Sequence, residues 1–266
     1  MKKAKLESLY RRYNHLKFVS PDPLEFVLRY PDAADREIVG LVASGLAYGN
    51  VKQIQASSEK VLAVLGASPA AFLDGTNRRA LNSAFKTFKH RWTTGREVAD
   101  LLWGVKQCRE RHGSLGAWFG QGVRADETDY LAASERFIDG LLGGKSATEN
   151  SLVSVPRGGS ACKRWHLFLR WMIRKDRVDP GCWSDLPAAG LLMPVDTHIQ
   201  RIATSLCLTR RKQANLIMAK EITEQFRIIS PDDPVRYDFA LTRLGIRDDA
   251  DWEEFLRGYN QKKGAD

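Results

Sequence analysis

The chain has 266 residues, and its 41 lysines and arginines outnumber its 32 aspartates and glutamates to give a formal net charge of +9. This length can bury a substantial core without disulfide or metal staples, and it suits one large domain or two smaller lobes. A basic chain is attracted to polyanions, of which nucleic acid is the commonest, although many soluble proteins are basic without binding it. Charge therefore favours a nucleic-acid partner without establishing one.

The cysteines give no sign of a metal site. Cys108, Cys162, Cys182 and Cys207 stand far apart and form neither a Cys-x-x-Cys pair nor a Cys/His ligand pattern. A zinc site or a disulfide framework is therefore not expected. No apolar run follows the basic start of the chain, and none elsewhere is long enough to span a bilayer. We expect a cytoplasmic protein with no membrane association.

Apolar residues recur at helical spacing along most of the chain, whereas the alternation typical of strands is scarce. The pattern over 38–46 and 54–65 predicts two helices separated by a tight loop at Tyr48-Gly49-Asn50. Further predicted helices cover 131–142, 164–174, 197–208 and 212–228, and another follows the helix stop at 231–234. The predicted fold class is all-α.

Residues 140–160 are rich in Gly and Ser and weak in apolar periodicity. Such a composition is typical of a connection, so we expect this segment to join two helical lobes of a single domain covering 1–266. The stretch 140–146 also comes close to a phosphate-binding P-loop. Its spacing fails because Asp139 stands where the first glycine is needed, and a predicted helix precedes it where a P-loop follows a strand. Nucleotide hydrolysis is therefore a weak alternative.

Lys163 stands at the start of a predicted helix, directly after a glycine-bearing segment. Lys163, Arg170 and Arg174 fall within about 40° of one another around that helix, which predicts a basic stripe. A solvated face of an amphipathic helix explains such a stripe equally well. Gly158-Gly159-Ser160 favours the nucleic-acid interpretation, because the N–H groups at a helix N-terminus form a good seat for a phosphate.

Asp196 precedes the predicted helix at 197–208 and is a favoured N-cap residue, which by itself is enough to explain its presence. The cap and a chemical role are compatible, since helix N–H groups hold a carboxylate ionised and rigid. A lysine amine can attack an anomeric carbon while a carboxylate stabilises the charge that develops on the sugar. Lys163 and Asp196 together therefore indicate DNA base excision.

The octapeptide Pro194-Val195-Asp196-Thr197-His198-Ile199-Gln200-Arg201 resembles the catalytic-aspartate signature of the helix-hairpin-helix DNA glycosylases, the superfamily of endonuclease III and the 8-oxoguanine glycosylases. The segment 38–65 is similar to the helix, loop, helix unit with which that family inserts a wedge residue into the duplex. The resemblance implies a two-lobed helical bundle of the glycosylase type. It also implies a monomer that excises a damaged base from double-stranded DNA and then cleaves the strand as an AP lyase.

The chain departs from this family at the hairpin. The family has Leu-Pro-Gly-x-Gly, whereas the stretch 156–163 here reads Pro-Arg-Gly-Gly-Ser-Ala-Cys-Lys, so the Gly-x-Gly spacing is lost. Lys163 and Asp196 are 33 positions apart, which is similar to the archaeal 8-oxoguanine glycosylases with their altered hairpin, and 8-oxoguanine is therefore the expected base. We also expect the chain to belong to a related uncharacterised bacterial family, in which the stretches 47–51 and 176–183 recur as signatures. No cysteine follows Cys207, so no iron–sulfur cluster is expected.

The resemblance also implies roles for single residues. Lys163 becomes the nucleophile with Arg164 and Arg170 as neighbouring cations, and Asp196 the stabilising carboxylate. The residues with an implied nucleic-acid-binding role are Tyr48, Asn50, Gly158, Gly159, Ser160, Arg164, His198 and Arg201. A histidine placed like His198 more often bonds the backbone or faces solvent than acts as an acid. The seven tryptophans include candidates for stacking a base, although most tryptophans in an all-α chain lie in the core. The main alternative is a glycosylase-fold protein that binds nucleic acid without excision.

Overall fold

The computed structural model describes residues 3–143, 150–247 and 252–260. The predicted all-α class is confirmed, because helices dominate the described residues. Their bounds are α1 Lys3–Tyr13, α2 Leu24–Leu28, α3 Ala33–Gly45, α4 Val51–Leu65, α5 Pro69–Gly75, α6 Arg78–Ala84, α7 Gly95–His112, α8 Leu115–Gln121, α9 Leu131–Leu141, α10 Lys163–Ile173, α11 Thr197–Ser205, α12 Leu216–Arg227, α13 Asp238–Ile246 and α14 Trp252–Asn260. None of these helices is long and apolar enough to cross a membrane.

A short antiparallel hairpin interrupts the helices between α6 and α7. Its strands are β1 (Lys89–His90) and β2 (Thr93–Thr94), with His90 opposite Thr93. Single 3₁₀ turns lie at Leu16–Phe18, Pro156–Gly158 and Ala188–Gly190. The hairpin lies beside the loop that joins α3 to α4. The Tyr48 hydroxyl in that loop donates a hydrogen bond to the His90 carbonyl at 2.9 Å.

Short polar side chains fix where many of the helices begin. Each of these residues accepts a backbone N–H from the first turn of its helix, as an N-cap does. They are Asn50, Ser68, Asn77, Thr94, Ser114, Asp196 and Asn215. The cap at Asn215 explains why α12 starts at Leu216, whereas the sequence pattern predicted a helix from Lys212. The predicted helix at 197–208 likewise ends earlier, at Ser205, because Cys207 takes a positive φ of 56°.

The buried apolar side chains form two cores. The first core is built by α2 to α10 and includes Phe26, Ile38, Phe119, Phe168 and Trp171. The second core is built by α1, α11, α12 and α13 and includes Leu6, Ile202, Met218, Phe226 and Tyr237. Along the chain, Leu191 is the last residue of the first core before Met193 enters the second. The expected lobe junction at 140–160 stays a prediction, because 144–149, which also carry part of the P-loop-like stretch, lie outside the described residues.

A network of buried charges joins the two cores. It consists of Arg170 of α10, Arg174 directly after that helix, the buried Asp179 and Asp238, and the partly exposed Asp176 and Asp233, and it is called the arginine–aspartate network below. Arg170 pairs with Asp238 at the start of α13 and lies 3.2 Å from Asp179. Arg174 pairs with Asp179 and lies 3.0 Å from Asp233. The network therefore ties α10 to the segment that follows it and to the connection between α12 and α13 in the second core.

This network corrects the expectation of a basic stripe on the Lys163 helix. Arg170 and Arg174 are only 2% and 4% exposed, so they present no charge to solvent or to DNA. Helical periodicity correctly places both arginines on one side of α10, but carboxylates from distant segments cover that side. Arg170 also does not serve as the cation beside Lys163, because its guanidinium is paired with Asp179 and Asp238.

Replacing Asp179 by asparagine tests this network. Asp179 is 1% exposed and faces both arginines, so its neutralisation leaves two buried guanidinium groups undercompensated. We expect the free energy of unfolding to fall by about 3–5 kcal/mol, measured by urea denaturation followed by circular dichroism. The control Glu59→Gln breaks the exposed pair with Arg29 at 2.7 Å and should cost less than about 1 kcal/mol. Equal, small losses for the two variants would show that the network does not hold the cores together.

Candidate active site

The segment before α10 forms a tight turn that delivers Lys163 to the first position of the helix. A 3₁₀ turn at Pro156–Gly158 is followed by Gly159 with φ 73°, a left-handed conformation that suits glycine. Cys162 is also left-handed, with φ 44°, and its N–H donates to the Ser160 hydroxyl at 3.2 Å. The residues that the sequence analysis compared with the glycosylase hairpin thus form a tight turn, called the 156–162 turn below.

The start of α12 holds the 156–162 turn in place. The Leu216 N–H donates to the Gly159 carbonyl at 2.9 Å, and Ser160 pairs with Asn215 as an isolated antiparallel bridge. Gly158, Gly159 and Ser160 are exposed, but the Gly159 N–H already donates to the Pro156 carbonyl at 2.8 Å. Phosphate binding at these three residues stays a prediction. What the contacts establish is that the second core fixes the turn from which Lys163 emerges.

Asp196 is the N-cap of α11, as the sequence predicted. Its Oδ1 accepts the Ile199 N–H at 2.8 Å, so the carboxylate is held by the helix N-terminus. Its Oδ2 lies 3.5 Å from the Nζ of Lys163. The side chains of Lys163 and Asp196 are 34% and 16% exposed, respectively, so both are accessible from solvent. Two residues 33 positions apart are thus brought into contact at an open surface.

The pair lies where the two cores meet. Cys162, next to Lys163, packs in the first core, whereas Ala161 and Ile199 pack in the second. Cys162 is the other nucleophilic side chain nearby, but burial raises the pKa of its thiol, which keeps it in the less reactive protonated form. Lys163 is also the more accessible of the two, because its side chain is 34% exposed and Cys162 is only 2% exposed.

Asp196 is electrostatically coupled to the arginine–aspartate network. Burial raises the pKa of Asp238 to about 6, Arg170 opposes this rise, and the negative charge of Asp196 adds to it. Asp196 thus lies close enough to Asp238 for their charges to interact. The sequence analysis missed Asp238, because only folding brings it near Asp196.

Arg164, the residue after Lys163, points back into the protein. Its guanidinium donates to the carbonyls of Gly45, at the end of α3, and Ser151, the latter at 2.7 Å. It also lies 4.8 Å from the centre of the Tyr48 ring. These contacts tie the start of α10 to the loop between α3 and α4. A nucleic-acid contact by Arg164 stays a prediction, and the guanidinium has a structural task already.

Tyr48 and Asn50 lie in that loop but differ in freedom. The Tyr48 hydroxyl is hydrogen-bonded to the hairpin at His90 and Thr93. Asn50 is exposed at the loop tip, and its side chain caps α4 by accepting the Lys52 N–H at 2.9 Å. Asn50 therefore has the more accessible position for entering a duplex, whereas Tyr48 is fixed.

His198 and Arg201 lie on α11 and share one acceptor. The His198 Nδ1 lies 3.1 Å from the Gly245 carbonyl, and the Arg201 guanidinium donates to the same oxygen at 3.0 Å. The expectation that His198 bonds the backbone is therefore confirmed. Both side chains fasten α11 to the last turn of α13, and their nucleic-acid contacts stay predictions.

The sequence analysis gave no particular role to the Arg91-Trp92 tip of the hairpin. Trp92 is 58% exposed, and its ring stacks on that of Tyr48. The signal in the sequence was a tryptophan directly flanked by charged and polar residues, Lys-His-Arg-Trp-Thr-Thr. No group of three or more His, Cys, Asp or Glu side chains within the described ranges is arranged to hold a metal ion.

The double role of Asp196 can be separated by two substitutions. Asp196→Ala removes the cap and should lower the free energy of unfolding by about 1 kcal/mol, whereas Asp196→Asn keeps a capping oxygen and should cost less. Chemical denaturation of both variants measures this. Asn215→Ala, which removes the cap of α12, is the matched control and should resemble Asp196→Ala. If Asp196→Asn were as unstable as Asp196→Ala, the charge of Asp196 would be structural and the asparagine variant unsuitable for testing chemistry.

Comparison with protein families identifies one match. The family model described as "Protein of unknown function (DUF2400)" matches residues 22–247, which contain the 156–162 turn, Lys163 and Asp196. The chain therefore belongs to the DUF2400 family. Neither the curated proteins nor the solved structures contain a match.

Proposed function

We propose that this member of the DUF2400 family is a DNA glycosylase with AP lyase activity that acts in base-excision repair. The observation that carries the proposal is the 3.5 Å contact between the Lys163 amine and the Asp196 carboxylate at an accessible junction of two helical cores. A nucleophilic amine beside a carboxylate is the set of groups that cleavage of an N-glycosidic bond by a covalent route requires. The proposal includes a glycosylase-type two-lobed fold with an altered hairpin.

In the first chemical step Lys163 acts as a neutral amine after giving up a proton. Its Nζ forms a bond to C1′ of the nucleotide, and the C1′–N bond of the base breaks with its electron pair leaving on the base. Positive charge develops on the sugar during this exchange. Asp196, fixed by the Ile199 N–H, stabilises that charge and assists the proton transfers.

In the second step the C1′–O4′ bond breaks with its electron pair on O4′, which takes up the proton that Nζ lost after its attack, and the C1′–Nζ linkage becomes a protonated imine. This imine acidifies the hydrogens on C2′, and loss of one of these protons expels the 3′-phosphate by β-elimination. Water then hydrolyses the imine and releases Lys163. The exposure of Lys163 and Asp196 is compatible with entry of this water.

The proposed substrate is double-stranded DNA that carries an oxidised purine, with 8-oxoguanine as the best candidate. The net charge of +9 supports attraction to DNA. The choice of 8-oxoguanine rests on the resemblance of the altered hairpin and of the Lys163 to Asp196 spacing to the archaeal glycosylases. The target nucleotide is flipped out of a bent duplex, Asn50 enters from the loop tip, and the 156–162 turn holds a phosphate. The protein acts as a monomer in the cytoplasm and needs no iron–sulfur cluster.

A second candidate is a glycosylase-fold protein that binds nucleic acid without excision. It is favoured by the geometry of the pair itself, because an ion pair between two cores is also a structural contact. In that case Lys163 and Asp196 hold α10 against α11, and no covalent intermediate forms.

Borohydride trapping decides between the two candidates. Purified protein is incubated with duplexes that contain 8-oxoguanine, uracil, an abasic site or no lesion, and a covalent complex is sought on a denaturing gel. We expect a complex for the wild type on the 8-oxoguanine and abasic duplexes and none for Lys163→Gln. Asp196→Asn should slow base release on the order of a hundredfold but still be trapped on the abasic duplex.

The matched control is Lys60→Gln, which removes the same charge from an exposed position of α4 and should be trapped like the wild type. Duplex binding is measured in parallel for every variant. If the wild type binds each duplex and gives no covalent complex on any of them, the lyase proposal fails, and a monofunctional glycosylase or the non-excising candidate replaces it.

A further inference from the structure

The tip of the β1–β2 hairpin presents a large aromatic side chain to solvent. Arg91 and Trp92 are the two central residues of the turn between His90 and Thr93, and Trp92 is 58% exposed. Arg91 takes φ 54°, a conformation that favours glycine at the first central position of such a hairpin. A turn that carries Arg-Trp here is thus not the sequence that local stability prefers.

Trp92 does not stand alone but lies on a second ring. Its ring centre is 4.6 Å from that of Tyr48 with the planes inclined by 24°, which is a stacked arrangement. The Tyr48 hydroxyl is anchored at the His90 carbonyl and at Thr93, and the Thr93 hydroxyl lies 2.6 Å from that of Ser151. The Tyr48 ring on which Trp92 stacks is therefore held in place by hydrogen bonds.

The anchor below the stack is buried and neutral. His90 is 2% exposed, its Nδ1 lies 2.9 Å from the Ser57 hydroxyl, and its Nε2 lies 3.0 Å from the Tyr48 carbonyl. Burial lowers the pKa of His90, which favours the neutral imidazole that this network requires. The hairpin is thus joined to α4 and to the loop that carries Tyr48, so its exposed tip has a fixed position.

Cations surround the two rings. The Arg91 guanidinium lies 4.7 Å from the centre of the Trp92 ring and 5.9 Å from that of Tyr48. The Arg164 guanidinium lies 4.8 Å from the Tyr48 ring, and Lys89 is exposed on the same hairpin. An exposed aromatic stack bordered by positive charge matches a nucleobase attached to a phosphate backbone. A sugar-binding surface would need acceptor groups for hydroxyls, which these cations do not supply.

We propose that Trp92 and Tyr48 form a stacking site for an unpaired nucleobase of a nucleic-acid strand, with Arg91 contacting the phosphate beside that base. The exposed ring of Trp92 receives the base, and Tyr48 supports it. The site lies beside the start of α10, because Arg164 contacts Tyr48 and directly follows Lys163. The inference does not depend on excision, since stacking requires neither residue of that pair.

The test compares Trp92→Ala with the wild type by fluorescence anisotropy on labelled strands of equal length. The strands are a single-stranded oligonucleotide, a strand of abasic tetrahydrofuran units and a blunt undamaged duplex. We expect Trp92→Ala to bind the base-bearing single strand about tenfold more weakly, because the variant loses the stacking free energy of one base. Binding of the base-free strand, which offers phosphates only, should be unchanged. Trp92→Phe should retain most of the affinity.

Two further variants guard against a folding defect. Arg91→Gly suits the positive φ of the turn and should leave the protein at least as stable, yet weaken binding of both single strands by loss of a phosphate contact. Ile228→Ala removes another exposed apolar side chain, 78% exposed, and should bind like the wild type. Circular dichroism and thermal unfolding confirm that each variant is folded. Equal affinity of Trp92→Ala and wild type for the base-bearing strand, or an equal loss on the base-free strand, would overturn the proposal.

Failure of this test is distinct from failure of the proposed excision. Anisotropy is measured without borohydride and on undamaged strands, so it reports stacking alone. A protein that gives no covalent complex can still lose single-strand binding in Trp92→Ala, which supports the stacking site. A protein that is trapped through Lys163 while Trp92→Ala binds normally refutes the stacking site and leaves the excision proposal standing.

Discussion

The fold depends on the buried charges of α10. Arg170 and Arg174 lie at the boundary of the two cores and are paired with carboxylates that come from the segment after α10 and from the start of α13. Taking such charges out of water is costly, and only complete pairing compensates for it. These ion pairs therefore favour the arrangement of the two cores that brings the aspartates to the arginines. That arrangement fixes the direction of α10 and thereby the place of Lys163 at its first residue.

The Lys163–Asp196 contact is a consequence of this arrangement with two local supports. The start of α12 holds the 156–162 turn by the bond from Leu216 to Gly159. The first turn of α11 holds the Asp196 carboxylate through Ile199. The Asp196 carboxylate is therefore held in place independently of Lys163. Preorganised charge is what makes electrostatic stabilisation effective in catalysis. This is the physical reason for proposing that the contact is an active site.

The start of α10 also contacts a second surface. Arg164 turns away from Lys163 and reaches the loop between α3 and α4, where it lies against Tyr48, the ring that supports Trp92. One helix start thus connects a nucleophilic lysine with an exposed aromatic stack. The two proposals made from these features are independent in chemistry but adjacent in space.

The sequence by itself determined the all-α class, the separation of α3 from α4, and the cap at Asp196, because helical periodicity and capping act between residues a few positions apart. Lys163 and Asp196 were also identified together, from the octapeptide and the chemistry of the two groups. The tertiary structure decided what lies around each side chain. Periodicity placed Arg170 and Arg174 on one side of α10 but carried no information about Asp238 or Asp233, which stand more than fifty positions away. The sequence did not distinguish Trp92 from the other six tryptophans. The structure shows that the hairpin stacks it on Tyr48 and leaves it exposed. Burial, pairing and exposure depend on contacts between distant segments, and those contacts form only when the chain folds.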